Sequence, residues 1–415
     1  MTSTSLAETY REGRRAGDGL AFCLMLVNVA NSIAMSLVPI VQNQLQDEFS
    51  LSGAQIGLLT SVFMLAFGIG SIPAGVAVTR WGGRTLAAGV VSFTVGAVVF
   101  AASSSYAGFL VGRMLQGLGG ATVIPVTNQL FTEYVNPGRQ ARALGIFGSG
   151  HGVGVILALL IMPSVQASGG YRGVFLLTAG IAALLGLAAI LQRPVRARAG
   201  VGARGVSFAT TLRNVGAVAV NRRLLLLAVI NIGVMAVVVG ILAWTPAFLQ
   251  DQRGTGASVA AYLTAAVGVA QIIGNIAGAA AMARWGKPFV LFAGMAVMMV
   301  FTALAPVVPG AGLAIAFVIV AGFMTMALFP AILGSVPDIV PKVEQVGSAS
   351  AFLNLTNLLG TLLAPWVFGI LLDVYGAAPG RSGYLAGYLW LAVFPFVGTL
   401  AGAFYVRGRK RKEAA

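Results

Sequence analysis

The sequence predicts an all-α membrane protein in which twelve transmembrane helices form two six-helix bundles. Two observations predict the membrane: 58% of the 415 residues are hydrophobic and only 9% are charged, whereas soluble domains carry about 25% charged residues. A third observation predicts the two bundles, because the tetrapeptide RWGG at 80–83 returns as RWGK at 284–287, 204 residues later. A surface so poor in charge must face lipid. A sequence motif that recurs after half the chain length indicates an internal duplication.

Twelve apolar stretches are each long enough to cross a bilayer as a helix of about 20 residues. They lie near 19–41, 53–78, 84–104, 107–132, 141–163, 172–192, 224–247, 257–282, 288–308, 311–336, 346–372 and 384–406. The longest polar interruption separates the sixth stretch from the seventh. The expected parts are an N-terminal tail at 1–18, a first bundle at 19–192, a basic linker at 193–223, a second bundle at 224–406 and a basic tail at 407–415.

The positive charges predict the orientation in the membrane. With twelve spans, 22 of the 26 basic residues fall on the side of the two termini, and only Arg172, Arg253 and Arg381 fall on the other side. Because positive charge concentrates on the cytoplasmic side, we expect a multi-pass protein of the cytoplasmic (inner) membrane with both termini in the cytoplasm. The basic residues form short clusters between apolar runs, so we expect the lipid bilayer and no nucleic acid as a partner. We also expect a monomer.

The duplication extends beyond the repeated tetrapeptide. Pro137 and Pro341 are 204 residues apart, and each follows a long apolar span. The acidic residues Glu133 and Asp338 stand four and three residues before them. Two parallel six-helix repeats are the plan of a secondary transporter that moves a small-molecule solute.

The loop after the second span resembles a signature of the major facilitator superfamily, G-x-x-x-D-R-x-G-R-R. Gly75, Arg80, Gly82 and Arg84 match the signature, and Thr79 stands where the family has an aspartate. The resemblance covers nearly the whole chain and implies the major facilitator fold, in which the two bundles rock to give alternating access.

The second half repeats the same loop as AAAMARWGKP. Arg284, Gly286 and Lys287 are retained, and Ala283 replaces the acid. The resemblance implies a cytoplasmic gate in which the arginines of both loops dock on carboxylates, and Glu133 and Asp338 are the expected partners. The alternative is that these arginines only anchor the topology.

Other motifs leave the branch of the family open. GRMLQGLGGA in span 4 resembles the R-x-x-Q-G-x-G segment of drug/proton antiporters through Arg113, Gln116, Gly117 and Gly119. Those antiporters carry an acid in span 1 where this chain has Asn31, and a proline in span 5 that GSGHGVG lacks. Span 2 is also similar to that of lysolipid and organic-anion carriers.

Ionisable residues within the membrane are costly and usually functional. Arg113 and His151 are the two such residues that lie well inside predicted spans. For Arg113 we weigh an anion-binding or proton-relay group against a structural arginine bonded to span 1 or to backbone carbonyls. His151 titrates near neutral pH and is the candidate for proton coupling. The alternative is a neutral imidazole packed among glycines.

Amide side chains mark the faces of helices that contact a solute. The candidate substrate-binding residues, besides Arg113, are Asn28, Asn31, Gln116, Asn231, Gln271, Asn275, Asn354 and Asn357. The alternative is that these amides join neighbouring helices by hydrogen bonds.

The sequence contains no catalytic constellation and no phosphate-binding loop, so we expect neither an enzyme nor a metal or other cofactor. We predict a secondary transporter of a small organic solute that is anionic or amphiphilic. The drive is exchange with a counter-transported anion, proton symport through His151, or the gradient of the solute itself. The alternatives are drug or metabolite efflux by proton antiport and a non-transporting membrane receptor on the same scaffold.

Overall fold

The structure is a computed structural model that describes residues 3–136, 139–196, 216, 219–340 and 343–413. Side chains are described from residue 18 to residue 406 within those ranges, except at 79, 141, 343–348 and 351. Most of the predicted linker 193–223, the side chains of both predicted tails except Asp18, and Pro137 and Pro341 therefore lie outside the described residues.

The described elements are helices, and they follow one another as twelve spans. Span 1 comprises Ser3–Met35 and Leu37–Phe49, span 2 is Gly53–Trp81, span 3 is Arg84–Ala102, and span 4 comprises Tyr106–Gly120 and Val123–Tyr134. Spans 5 and 6 share Gln140–Ile190, and the short helix Arg193–Arg196 follows. Spans 7 to 12 are Arg222–Arg253, Ala257–Trp285, Lys287–Leu304, Ala311–Ile339, Val343–Tyr375 and Gly383–Glu413. The predicted fold class is confirmed.

Eleven helices of the described chain are long and apolar enough to cross a membrane, and one of them contains two spans. That helix bends at Gly170, whose backbone has φ 60° and ψ −165°, which is not helical. Glycine tolerates this conformation because it has no Cβ. Spans 5 and 6 therefore meet at Gly170, which restores the predicted twelve.

Spans 1 and 4 are each broken in two, which the sequence did not predict. The breaks fall at Ser36 and at Ala121–Thr122. Pro39 has no N–H to donate to the carbonyl of Met35, and Pro125 has none for the carbonyl of Ala121. A proline inside a helix removes this hydrogen bond and crowds the same carbonyl. Each break therefore begins at the carbonyl that a proline leaves without its helical donor.

If each of the twelve spans crosses the membrane once, successive spans alternate in direction, so the odd-numbered spans start on the face of the N-terminus and end on the other face. We call these two faces the terminal face and the opposite face. Spans 2 and 8 consequently end at the terminal face, and spans 1, 7 and 11 end at the opposite face.

The described chain forms two compact units whose boundaries differ from those of the predicted bundles. Unit 1 holds the chain up to Leu37, Ala66–Ala158 and the segment that begins at Val165. Unit 2 holds Val38–Leu65, Leu159–Ser164 and the second half of the chain. The second helix of span 1 and the first part of span 2 thus pack with the second-half helices of unit 2.

Aromatic side chains fill the part of unit 1 near the opposite face. The rings of Phe100 and Phe175 stack with their centroids 3.7 Å apart and 8° between their planes. Phe109 and Tyr171 pack edge-on at 5.8 Å, and the Tyr171 hydroxyl donates to the carbonyl of Ser103 at 2.9 Å. Stacked and edge-on rings bury large apolar areas in fixed geometry, which holds spans 3, 4 and 6 together.

Candidate functional site

Arg113 lies on the first helix of span 4, and 0% of its surface is exposed. Its Nη1 donates to the carbonyl oxygen of Ala34 at 2.9 Å and to Oε1 of Gln116 at 3.1 Å. Ala34 lies two residues before the break in span 1. The guanidinium therefore connects span 4 to the end of the first helix of span 1, with Gln116 beside it.

His151 lies on span 5 and faces span 1. Its Nδ1 is 2.9 Å from the hydroxyl of Ser32, and which atom donates depends on the tautomer of the ring. One turn earlier on both helices, Nδ2 of Asn28 donates to the carbonyl of Phe147 at 3.2 Å. A Cβ on Gly154 would lie 2.5 Å from the carbonyl oxygen of Val29, so glycine lets the two helices approach closely. The structure thus places His151 and Asn28 at one helix contact within unit 1.

Asn31 lies near the break in span 4. Only 5% of its surface is exposed, and within the part of the chain that the structure describes its Oδ1 accepts no hydrogen bond. Asn31, Gly120 and Thr122 line a small cleft whose other walls come from spans 3 and 6. The Oδ1 atom of Asn31 lies against Gly120, where a Cβ would collide with it.

The predicted amides of unit 2 differ in burial. Asn231 is 3% exposed, and its Nδ2 donates to the carbonyl of Leu353 at 3.4 Å. Gln271 is also buried, and its Nε2 lies 3.4 Å from the hydroxyl of Thr325. Asn357 stands one turn after Leu353 on span 11. Within the described residues, neither Oδ1 of Asn231 nor Oδ1 of Asn357 accepts a hydrogen bond, although both atoms are buried.

Asn275 and Asn354, by contrast, are exposed. Asn231 thus contacts span 11 through the carbonyl of Leu353, one turn before Asn357. Buried amide oxygens normally have a donor, so the oxygens of Asn231 and Asn357 are each available to accept a hydrogen bond.

Unit 2 contains a buried polar and aromatic group on spans 7, 11 and 12, and the sequence did not predict its contacts. The indole N–H of Trp244 donates to the carbonyl of Pro365 at 3.1 Å, and its ring stacks on Phe368 at 5.2 Å. Asp251 lies two turns after Trp244 on span 7, and its Oδ2 accepts from the hydroxyl of Tyr384 on span 12 at 2.6 Å. Asp251 stands close to the end of span 7, and no local pattern in the sequence indicates that its partner is Tyr384 on span 12.

Near the opposite face, a carboxylate binds the start of a helix within unit 2. The Oδ1 atom of Asp373 accepts from the amide of Gly53 at 2.5 Å, and its Oδ2 accepts from the amide of Ala54 at 2.8 Å. Gly53 opens span 2, and Asp373 lies near the end of span 11. The first amides of a helix have no helical partner and attract anions, so the carboxylate both caps span 2 and attaches it to span 11.

Three glycines make this attachment close. A Cβ on Gly53 would lie 2.7 Å from the carbonyl oxygen of Gly369, and a Cβ on Gly57 or Gly369 would collide with the backbone of Pro365 or Gly53. One turn further, the hydroxyl of Ser61 donates to the carbonyl of Leu362 at 2.7 Å. We call Gly53, Gly57 and Gly369 the glycine contact.

The predicted gate residues of unit 2 pair differently from the expectation. Asp338 accepts from Nζ of Lys287 at 2.9 Å, and the same Nζ donates to the carbonyl of Gly334 at 2.5 Å. Arg284, the expected partner of Asp338, instead holds its guanidinium carbon 5.8 Å from the ring centre of Trp285. Lys287, which follows Gly286, therefore binds Asp338, and Arg284, which precedes that glycine, does not.

In unit 1, the predicted gate carboxylate Glu133 accepts from Nε2 of Gln129 at 2.7 Å. Arg80 and Arg84 are both exposed. Gly82 has φ 56° and Gly286 has φ 79°, so both repeats turn through a left-handed backbone that favours glycine. A Cβ on Gly75 would meet no atom within 4 Å.

Comparison of the sequence and the structure with known proteins finds one family and one fold. The family model for the Major Facilitator Superfamily matches residues 20–287 and 248–415. A hexuronate transporter of Bacillus subtilis (strain 168) is 23% identical over 409 residues, which cover 91% of this chain and 94% of that protein. A D-galactonate transporter of Escherichia coli O6:H1 is 21% identical over 403 residues, with 88% and 90% covered. A solved bacterial homolog of the human lysosomal transporter Spinster, inward-facing and occupied, has a TM-score of 0.76 at 19% identity, with 94% and 96% covered, and thereby supports the fold.

Proposed function

The chain belongs to the Major Facilitator Superfamily, and from that premise we propose that its solute is a small organic anion with several hydroxyl groups. The chain is a secondary transporter. Two relatives matched along most of their length are named as transporters of hexuronate and of D-galactonate, which are hydroxylated carboxylates. Their chemistry requires a positive charge for the carboxylate and hydrogen-bond acceptors for the hydroxyls.

The observation that carries this proposal is the pair of open amide oxygens on Asn231 and Asn357. An acceptor buried without a donor costs about 1–3 kcal/mol, and a hydroxyl of the solute removes that cost. An apolar drug molecule has few hydroxyls to donate, which favours a hydroxylated solute over the efflux alternative. Arg113 supplies positive charge within the membrane-spanning part of unit 1.

The test measures uptake into proteoliposomes of a hexuronate, an aldonate and the neutral hexose with the same hydroxyl pattern. We expect both acids to be transported and the hexose to be excluded. The double variant Asn231→Leu/Asn357→Leu should raise KM for the acids by about tenfold, because two modest hydrogen bonds are lost. It should leave KM for a hydroxyl-poor monocarboxylate unchanged.

Thr356→Val is the matched control, because its hydroxyl donates to Leu353 of its own helix and is not needed for the solute. Equal transport of acid and hexose would contradict recognition of the anion. An unchanged KM in the double variant would remove the amides from the site, and transport of apolar cations alone would favour efflux. Specific binding without any flux would favour a receptor.

We further propose that the terminal face is cytoplasmic, as the distribution of positive charge favours. In a Cys23→Ser background, a cysteine at Ser104 near the opposite face should react with an impermeant thiol reagent in intact cells. A cysteine at Arg84 near the terminal face should react only after the membrane is opened. The reverse pattern of labelling would invert the orientation.

A further inference from the structure

The repeated RWG turns at the terminal ends of spans 2 and 8 have no part in the proposed solute site. Trp81 and Trp285 are each 59% exposed. Arg80 and Arg284, which precede them, are also exposed. Two of the five tryptophans thus occupy the equivalent turn in each repeat. In each turn a large apolar ring lies on the surface next to the positive charge of an arginine.

The arginines of these turns lack the carboxylates that the resemblance implied. Among the side chains that the structure describes, the salt bridges are Arg142–Asp18 and Lys287–Asp338, and neither Arg80 nor Arg284 takes part in one. The sequence shows the same change in both halves, because a threonine and an alanine replace the aspartate that precedes each arginine in the family signature. The positive charge of each turn is therefore available to an external anion.

The geometry of the second turn shows what kind of anion would fit. The guanidinium carbon of Arg284 lies 5.8 Å from the ring centre of Trp285, and Phe289 packs edge-on against that ring at 6.4 Å. Phe289 is also exposed. A guanidinium presents paired donors that match a phosphate, and an exposed tryptophan prefers the level of the lipid headgroups. A phosphate attached to acyl chains satisfies both the arginine and the aromatic rings, whereas a free phosphate satisfies only the arginine.

We propose that each RWG turn binds the headgroup of an anionic phospholipid at the terminal face, with the arginine on the phosphate and the tryptophan at the headgroup boundary. Each turn acts within its own unit. The duplicated turn thereby fixes the terminal ends of spans 2 and 8 to the lipid leaflet. This inference does not depend on the identity of the solute.

The experiment uses the full chain in phosphatidylcholine nanodiscs that contain a fixed fraction of either brominated phosphatidylglycerol or brominated phosphatidylcholine. Bromine quenches tryptophan fluorescence on contact, so the ratio of the two quenching values reports enrichment of the anionic lipid. We expect phosphatidylglycerol to quench more strongly in the wild type. We expect Arg80→Gln/Arg284→Gln to reduce its local enrichment about fivefold per turn, as is typical for one basic residue near an anionic surface.

Two controls make the result specific. Arg139→Gln/Arg222→Gln removes two exposed charges near the same face outside the turns and should retain the preference for phosphatidylglycerol. In Trp81→Phe/Trp285→Phe, the three remaining tryptophans should show no preference between the brominated lipids. Circular dichroism and thermal unfolding should match the wild type in every variant, because the exchanged side chains are exposed.

Equal quenching by the two brominated lipids in the wild type would overturn the proposal. Equal loss in the Arg139/Arg222 control would reduce the effect to general surface charge and would overturn it as well. Inorganic phosphate that abolishes the preference at a concentration equal to that of the lipid phosphate would assign the turns to a soluble anion instead.

Discussion

Arg113→Ala is expected to abolish uptake of the organic anion, and Arg113→Lys to retain only a small part of it. The arginine is fully buried and donates to Ala34 and Gln116. Its removal takes away the charge that the anion needs, and the loss of one member of a buried charge pair costs about 2–5 kcal/mol. Lysine keeps the charge but not the planar, two-pronged donor geometry. Counterflow and solute-induced thermal stabilisation measure the loss.

Thermal unfolding and solute binding, measured on Arg113→Gln, separate a role in anion binding from a role in fixing the break in span 1. Glutamine ends two bonds short of the Nη1 atom that bonds to Ala34, so this variant loses both the charge and the direct bond but keeps a polar amide. If the arginine binds the anion, the solute should no longer raise the unfolding temperature of Arg113→Gln; if the arginine only fixes the break, the variant should unfold at a lower temperature and still bind the solute. Normal solute affinity in Arg113→Gln or Arg113→Ala would show that the arginine is structural and would favour the efflux alternative.

His151→Gln is expected to abolish pH-driven accumulation while leaving downhill exchange of the solute. An imidazole is the side chain whose unperturbed pKa lies nearest physiological pH, and Nδ1 of His151 lies 2.9 Å from the hydroxyl of Ser32. Glutamine keeps a hydrogen-bonding group for Ser32 but cannot carry a proton at physiological pH. Exchange and accumulation measured in the same vesicles distinguish the loss of coupling from the loss of transport.

Ser32→Ala is the companion variant for His151. It removes the hydrogen bond but keeps the titratable ring, so it should shift the pH at which accumulation is half-maximal without abolishing it. Full accumulation by His151→Gln would make the histidine a packing residue. Coupling would then be sought at the acids Glu133, Asp251, Asp338 and Asp373.

The twelve spans were predictable because lipid imposes a length on every helix, and that length is visible as an apolar run. The turn between spans 5 and 6 was predictable for the same reason, and the structure places it at Gly170, whose backbone is not helical. The breaks in spans 1 and 4 follow from Pro39 and Pro125 in physical terms. Prolines such as Pro73 and Pro246 lie inside unbroken helices, however, so a proline alone did not identify the breaks.

The partners of charged side chains were less predictable than the spans. The repeat suggested that Arg284 would bind Asp338, because Arg284 occupies the place of the family's arginine. Lys287 binds the acid instead, because its long flexible stem reaches both Asp338 and the carbonyl of Gly334. The bond between Asp251 and Tyr384 joins residues 133 positions apart, and nothing local in either segment indicates the other.

The glycine contact has a consequence for how the sequence can vary through evolution. At Gly53, Gly57 and Gly369, any larger side chain meets backbone atoms of the facing helix, which cannot rotate aside as a side chain can. Random mutation at these three sites therefore has almost no neutral outcomes, whereas exchanges among amides such as Asn231 and Asn357 leave the backbone where it is. We therefore expect relatives that carry other solutes to differ at the amides and to keep glycine at these three positions of spans 2 and 11.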